Sequence, residues 1–226
     1  MKLVIFDCDG TLVDSQHNIT AAMAYAFTAH GLAPPPVPEI LSVVGLSLPE
    51  SFRVLAGQHP LATQRTLAEH YRDAFASGKL ERRQEEPLYP AIRETIAFLA
   101  ELPNVRLGVA TGKSKRGVAR LFDRENWHGH FHTIQTADDH PSKPHPSMIR
   151  KAMAEAGASP AATVMVGDTA FDMEMARNAG VGAIGVAWGY HAPERLKEAG
   201  AHRILDDGLQ LLTAINRQLA AQESGA

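Results

Sequence analysis

The sequence predicts an α/β fold in which a parallel-sheet core is interrupted, after its first strand, by a small all-helical insertion. Three observations carry this. Short, continuously apolar runs recur along the 226 residues, as buried parallel strands require. Segments with apolar groups at three- and four-residue steps alternate with them, the rhythm of strand–helix–strand units. Between about Ser15 and Pro87 that rhythm lapses and only helical patterns remain.

In chain order, Leu3-Val4-Ile5-Phe6 reads as the first strand. Within the insertion, Ile19, Met23 and Phe27 are spaced by four, as are Leu67, Tyr71 and Phe75, so each segment can bury one stripe. Pro34-Pro35-Pro36 and Pro38 are expected to stop the first of these helices, and Glu85-Glu86-Pro87 with Pro90 to mark the return to the core. Further strands are expected at Val105 to Ala110, more weakly at Thr133 to Thr136, then at Thr163 to Val166 and Ala183 to Val186. Helical stripes between them come from Ile92, Ile96 and Leu99, and, after Pro146, from Met148, Ile149, Ala152 and Met153. The expected division is residues 1–14 and 88–226 as the core and 15–87 as the helical cap, with a frayed end from Gln222 to Ala226.

Composition excludes several function classes. Apolar residues make up 45% and charged residues 21%, with a net charge of −3 and scattered Lys and Arg, so there is no electrostatic footprint for nucleic acid. The single cysteine, Cys8, can form no intramolecular disulfide, and no Cys-based zinc site is present, which fits a reducing compartment. Asp7 and Asp9 interrupt the first apolar run, and no stretch approaches the ~20 apolar residues of a membrane span. The expectation is a cytoplasmic monomer or homodimer with no membrane or nucleic-acid partner.

Four motifs carry chemistry. Asp7-Cys8-Asp9-Gly10-Thr11 follows the first strand directly, and in an open α/β sheet ligands sit beyond the carboxyl ends of strands. A calcium loop fails on spacing, because Leu12 stands where its turn Gly belongs and Asn18 where its bidentate Glu belongs. Val166-Gly167-Asp168-Thr169, with Asp172 four residues past Asp168, brings further carboxylates to a second strand end. Together these make an oxygen-rich cluster suited to a hard cation. Ala110-Thr111-Gly112-Lys113 and Ser142-Lys143-Pro144 add a hydroxyl, a closely approachable amide and ammonium groups as donors for a phosphate. The alternative of a P-loop-type nucleotide-binding kinase is disfavoured by spacing, since only three residues separate Gly108 from Gly112 and four are needed.

In this order, the four motifs resemble the haloacid-dehalogenase-like superfamily, in the branch with a helical cap after the first motif that includes phosphoglycolate and sugar-phosphate phosphatases. The resemblance covers essentially the whole chain and implies a Rossmann-like core. It implies a Mg²⁺-dependent phosphatase acting on a small phosphorylated metabolite, with Asp7 as nucleophile and Asp9 as general acid and base. By the same resemblance Mg²⁺ is held by the Asp7 carboxylate, the Asp9 carbonyl and Asp168, with Asp172 in support, while Thr111, Gly112 and Lys143 bind the phosphoryl oxygens. Asp9 argues against the dehalogenase and phosphonate-cleaving branches, which lack that acid. A phosphomutase keeps both aspartates, so the motifs leave hydrolysis and mutase chemistry open. Substrate choice is expected from the segment Val44 to Pro49, with Gly45 in the loop and Arg53 one turn into the next helix. His128, His130 and His132 are expected to be solvated loop residues, and Trp127, Trp188 and the methionines to serve packing.

Overall fold

The structure, a computed structural model, describes residues 1–76 and 85–224. Six parallel strands form one sheet in the order β3-β2-β1-β4-β5-β6. They are β1 (Lys2–Phe6), β2 (Val105–Thr111), β3 (Phe131–Thr136), β4 (Thr163–Gly167), β5 (Gly182–Val186) and β6 (Arg203–Leu205). β1 lies at the centre and pairs in parallel with both β2 and β4. The order reverses there, and the crevice between β1 and β4, beyond their carboxyl ends, is where such sheets place ligands.

Continuous apolarity in the strands reflects burial on both faces. Val4 and Phe6 of β1 enter one core, shared with α5 (Ile92–Ala100), α6 (Lys115–Glu125) and α10 (Leu211–Ser224). Leu3 and Ile5, pointing the opposite way by the two-residue period of a strand, enter a second core with α7 (Ser147–Ala156), α8 (Ala170–Ala179) and α9 (Pro193–Glu198).

Between β1 and α5 the described residues are helical: α1 (Gln16–Ala29), α2 (Val37–Ser42), α3 (Leu48–Leu55) and α4 (Leu61–Ala76). They close over their own core, in which Ile19, Met23 and Phe27 of α1 meet Ile40, Phe52 and Leu67. Phe52 is fully buried, and truncating such a ring costs ~3–5 kcal/mol, so this layer has a fold of its own to lose. The segments leading in and out run side by side: Val13 bridges Leu88, and the Asp14 amide donates to the Pro87 carbonyl at 2.9 Å. Residues 77–84 of the expected insertion lie outside the described residues.

Several boundaries differ from the sequence reading, for local reasons. α1 ends at Ala29, ahead of the prolines, where Gly31 takes a φ of 75°. Pro38 belongs to the first turn of α2, where a missing N–H leaves no bond unmade. β2 runs one residue further, to Thr111, and β3 begins two residues earlier, at Phe131. β6 was not foreseen, having three residues and an arginine at its start. α10 continues through Ser224, into the stretch expected to fray.

Candidate active site

β1 ends at Phe6 and β4 at Gly167, so Asp7 and Asp168 emerge side by side at the switch point. Thr169 then caps α8, and Asp172 closes a reciprocal capping box, its Oδ2 accepting from the Thr169 amide at 3.1 Å and hydroxyl at 2.7 Å. This cap turns a helix start into a fixture that holds a carboxylate over the sheet end. Among the described residues, the carboxylates of Asp7, Asp168 and Asp172 form one group whose ligand atoms lie within 4.8 Å of one another. All three residues are buried.

Each carboxylate is fixed by identifiable donors. Asp168 accepts from the Thr11 hydroxyl at 2.7 Å and the Tyr190 amide at 2.9 Å. Asp7 Oδ1 accepts from the Cys8 amide at 2.7 Å. Asp7 Oδ2 has the Lys143 ammonium 2.8 Å away but no hydrogen bond aligned with it. Lys143 instead donates to Asp172 Oδ1 at 2.6 Å. Gly10 is required here, since its φ is 83° and a Cβ would collide with the Asp168 carboxylate.

Electrostatics follow from burial. Desolvation pushes the Asp7 carboxyl up to about 6, with Lys143 pulling it down and Asp172 adding to the rise. Burial, then Asp172 and Asp7, raise Asp168 well above the usual carboxylate range. For Lys143 burial opposes the charge, yet Asp172 and Asp7 win and hold its pKa above the ordinary lysine value. Three buried carboxylates against one ammonium leave an excess of negative charge. With oxygen-only donors and more negative charge than Lys143 alone balances, the cluster fits a hard divalent cation.

Asp9 stands apart from that cluster. Its Oδ1 accepts from Ser15 Oγ at 2.5 Å and from Lys113 Nζ at 2.6 Å. Lys113 also faces Glu86 Oε2 at 3.5 Å, and Asn18 donates to Glu86 Oε1 at 3.0 Å. Burial works against the Lys113 charge, but Asp9 and Glu86 keep its pKa raised. Two of the motifs carry a lysine, and the resemblance assigns the phosphate to Lys143 alone; the geometry separates the two, Lys143 beside Asp7 and Lys113 on Asp9. Glu86, Ser15 and Asn18 carry no motif signal, because their positions depend on how the two connecting segments pair. Cys8 is buried, and desolvation followed by Asp7 and Asp9 pushes its thiol up, so it stays unreactive.

A cavity of about 680 Å³ opens above Asp7, Asp9, Thr111 and Gly112. Gly45 lines it, in the loop between α2 and α3, which reaches the core: the Ser47 amide donates to Ser142 Oγ at 2.8 Å. Arg53 does not line it. Its guanidinium pairs with Glu50 at 2.6 Å on the exposed side of α3, because one turn beyond the loop the helix points that residue outward. The grouped histidines do not converge: His128 pairs with Asp123, and His132 faces Arg106 and the Glu155 carbonyl.

Residues 4–186 match the family model described as haloacid dehalogenase-like hydrolase. A Dickeya dadantii protein named "Probable phosphatase IndB" is 34% identical, with 98% of this chain and 96% of that protein covered. A Pseudomonas syringae pv. tomato phosphoglycolate phosphatase is 28% identical over 93% of this chain and 78% of its own length. The crystal structure of a predicted phosphatase from Clostridium acetobutylicum superposes with a TM-score of 0.83 at 27% identity, covering 96% of this chain and 98% of that one. With its parallel sheet, its helical insertion and its paired strand-end aspartates, the chain belongs to the haloacid dehalogenase-like hydrolases and is a phosphatase of that family.

Proposed function

We propose that this phosphatase hydrolyses a small phosphate monoester, of the phosphoglycolate or sugar-phosphate type, through a phosphoryl group carried transiently on Asp7. The observation that carries the reading is Asp7, a buried carboxylate that borders the cavity and has its Oδ2 2.8 Å from the Lys143 ammonium. An oxygen so held is available to bond to phosphorus. The Asp7, Asp168 and Asp172 cluster, with the Asp9 carbonyl, would hold Mg²⁺, which when bound supplies positive charge for the transferring oxygens.

The chain's own residues account for the rest. Asp7 Oδ2 attacks phosphorus and the ester P–O bond breaks. Asp9 gives its proton to the departing alkoxide. Lys113 and Ser15 both grip Asp9 Oδ1, so the transferred proton belongs on Oδ2. The ionised Asp9 then takes a proton from water, whose oxygen displaces Asp7 and releases inorganic phosphate. Thr111, the Gly112 amide and Lys143 orient the phosphoryl oxygens. Residues 15–87 act as a cap hinged on the paired segments near Val13 to Ser15 and Pro87 to Pro90, closing to exclude water.

Rapid-quench labelling tests this. Phosphate should be trapped on Asp7 in the wild-type enzyme and on no residue in Asp7→Asn, whose turnover should fall by several orders of magnitude. Release of one inorganic phosphate per ester separates hydrolysis from transfer to a second sugar. A stable phosphoenzyme in Asp7→Asn would end the proposal.

A further inference from the structure

One buried histidine takes no part in the chemistry above, and it joins the core to the insertion. His191 lies in the loop after β5, buried, and its ring is held at both nitrogens. The Ala170 amide donates to Nδ1 at 3.0 Å. An Nδ1 that accepts carries no proton, so the ring is the neutral tautomer with its hydrogen on Nε2. Nε2 in turn donates to the Ser42 carbonyl at 3.1 Å. Ala170 is the first residue of α8 and Ser42 the last of α2. Helix ends leave amides and carbonyls without partners inside the helix, and one imidazole serves an amide of the core and a carbonyl of the insertion. The Phe171 ring meets it edge-on, with centroids 5.3 Å apart at 66°. The loop backbone is tied to the carboxylate cluster as well: the Tyr190 amide donates to Asp168 Oδ2 at 2.9 Å and the His191 amide to the Asp168 carbonyl at 3.4 Å.

The Ser42 carbonyl stands at one end of the segment that reaches the site. Val43, Val44, Gly45 and Leu46 line the cavity, and the far end is held where the Ser47 amide donates to Ser142 Oγ at 2.8 Å. Between these holds Gly45, at a φ of 97°, comes so close to α8 that an added Cβ would lie 3.1 Å from Thr169 Oγ1 and 3.6 Å from the Phe171 ring. Both holds grip backbone atoms, so they set the height of the segment over Asp7 whatever side chains it carries.

Resting on the phosphatase reading and the closing cap proposed above, we propose that His191 is a positioning residue: it docks the α2–α3 loop on the start of α8 and so sets the fraction of enzyme whose cap is closed over the site. A substrate that binds only the docked form has its apparent affinity reduced by the fraction docked. Loss of the Nε2 donor therefore raises KM, while kcat, measured with the site saturated and the cap drawn down, changes little.

Hydrolysis of p-nitrophenyl phosphate with Mg²⁺ gives the kinetics, and amide hydrogen exchange of residues 43–48 reads the dock directly. His191→Asn keeps an acceptor for the Ala170 amide but is too short to reach Ser42, whereas His191→Gln can reach Ser42 with its amide nitrogen. We expect His191→Asn to raise KM by about fivefold or more with kcat within about threefold, and to speed exchange of the segment by about fivefold or more. Exchange in β1 and β4 should stay at the wild-type rate, and His191→Gln should recover most of both losses. His191→Phe, which keeps a ring against Phe171, should behave as His191→Asn does and stands in for it if that variant does not fold. Wild-type KM and exchange in His191→Asn and His191→Phe would overturn the inference. So would a loss of kcat with KM unchanged, or a His191→Gln no better than His191→Asn, since packing alone would then account for the residue. Trapping of phosphate on Asp7 keeps the two readings apart. Label in the wild type alongside any of those results leaves the phosphatase reading standing while the inference falls; absence of label ends the phosphoenzyme reading, and hydrogen exchange still decides whether His191 docks the loop.

Discussion

Gly112→Ala adds one methyl group where the α2–α3 loop comes down on the core. Built on the Gly112 backbone, the new Cβ would lie 2.6 Å from the Leu46 carbonyl oxygen and 2.8 Å from that of Gly45. Ordinary carbon–oxygen contacts begin near ~3.3 Å, so the loop must retreat by roughly 0.5–0.7 Å. Both obstacles are backbone, and no side-chain rotation relieves them. Gly112 is not among the glycines with positive φ, so alanine is conformationally acceptable and the strain falls on the approach of loop to core. A misplacement of ~1 Å can cost about 10²-fold in rate, so kcat/KM should fall by about 10- to 100-fold. Tm, which moves ~2–4 °C per kcal/mol in a chain of this size, should stay within about that span. Gly129→Ala, which meets nothing within 4 Å, is the control. The measurements are steady-state kinetics and a thermal melt. Wild-type kinetics in Gly112→Ala would refute the claim that loop contact matters for turnover, and a collapse in Tm would show that the strain enters the core instead.

Further predictions follow from the same geometry. Asp9→Asn should lose about 10²–10⁴-fold on alkyl esters, yet accumulate label on Asp7 because hydrolysis of the phosphoenzyme lacks its base; absence of any label would reassign Asp9. Chelator should abolish activity, Mg²⁺ should restore it and Ca²⁺ should inhibit, while Mg²⁺ should also raise Tm by binding only the folded carboxylate cluster. Full activity after exhaustive metal removal would dismiss the site. Lys143→Met removes the ammonium that sits 2.8 Å from Asp7 and 2.6 Å from Asp172. Breaking a buried pair of this kind costs ~3–5 kcal/mol. Urea melts should show that loss in metal-free protein and substantial recovery with Mg²⁺; equal losses in both conditions would argue that the lysine serves packing.

Much of the core was legible because its signals are short-range. A continuous apolar run followed by Asp7 or by Asp168 states both a buried strand and a group at its end, with no tertiary information needed. β6 escaped because three residues with a leading arginine carry no periodicity; it exists by pairing with β5. Arg53 and Lys113 show where sequence reading fails for the site. A helix rotates a residue by its position within the turn, and one turn past the loop carried Arg53 out to Glu50. Lys113 was visible in its motif, but which aspartate it would meet depended on the separation of β1 and β2 and on Glu86, 27 residues away in sequence and adjacent in space.

The placement of β1 also governs how the molecule is made. Its partners β2 and β4 begin at Val105 and Thr163, and the Thr11–Asp168 hydrogen bond spans 157 residues. At ~5–20 residues per second, β4 leaves the ribosome roughly 8–31 s after β1. Until β2 emerges, an apolar strand with open edges on both sides waits for neighbours, and one edge stays open until β4 follows, while α1 to α4 can already close over Phe52. Shielding of β1 during synthesis is therefore expected, and a chaperone that binds extended apolar segments should capture nascent chains released before Thr163 more than those that extend past Gly167.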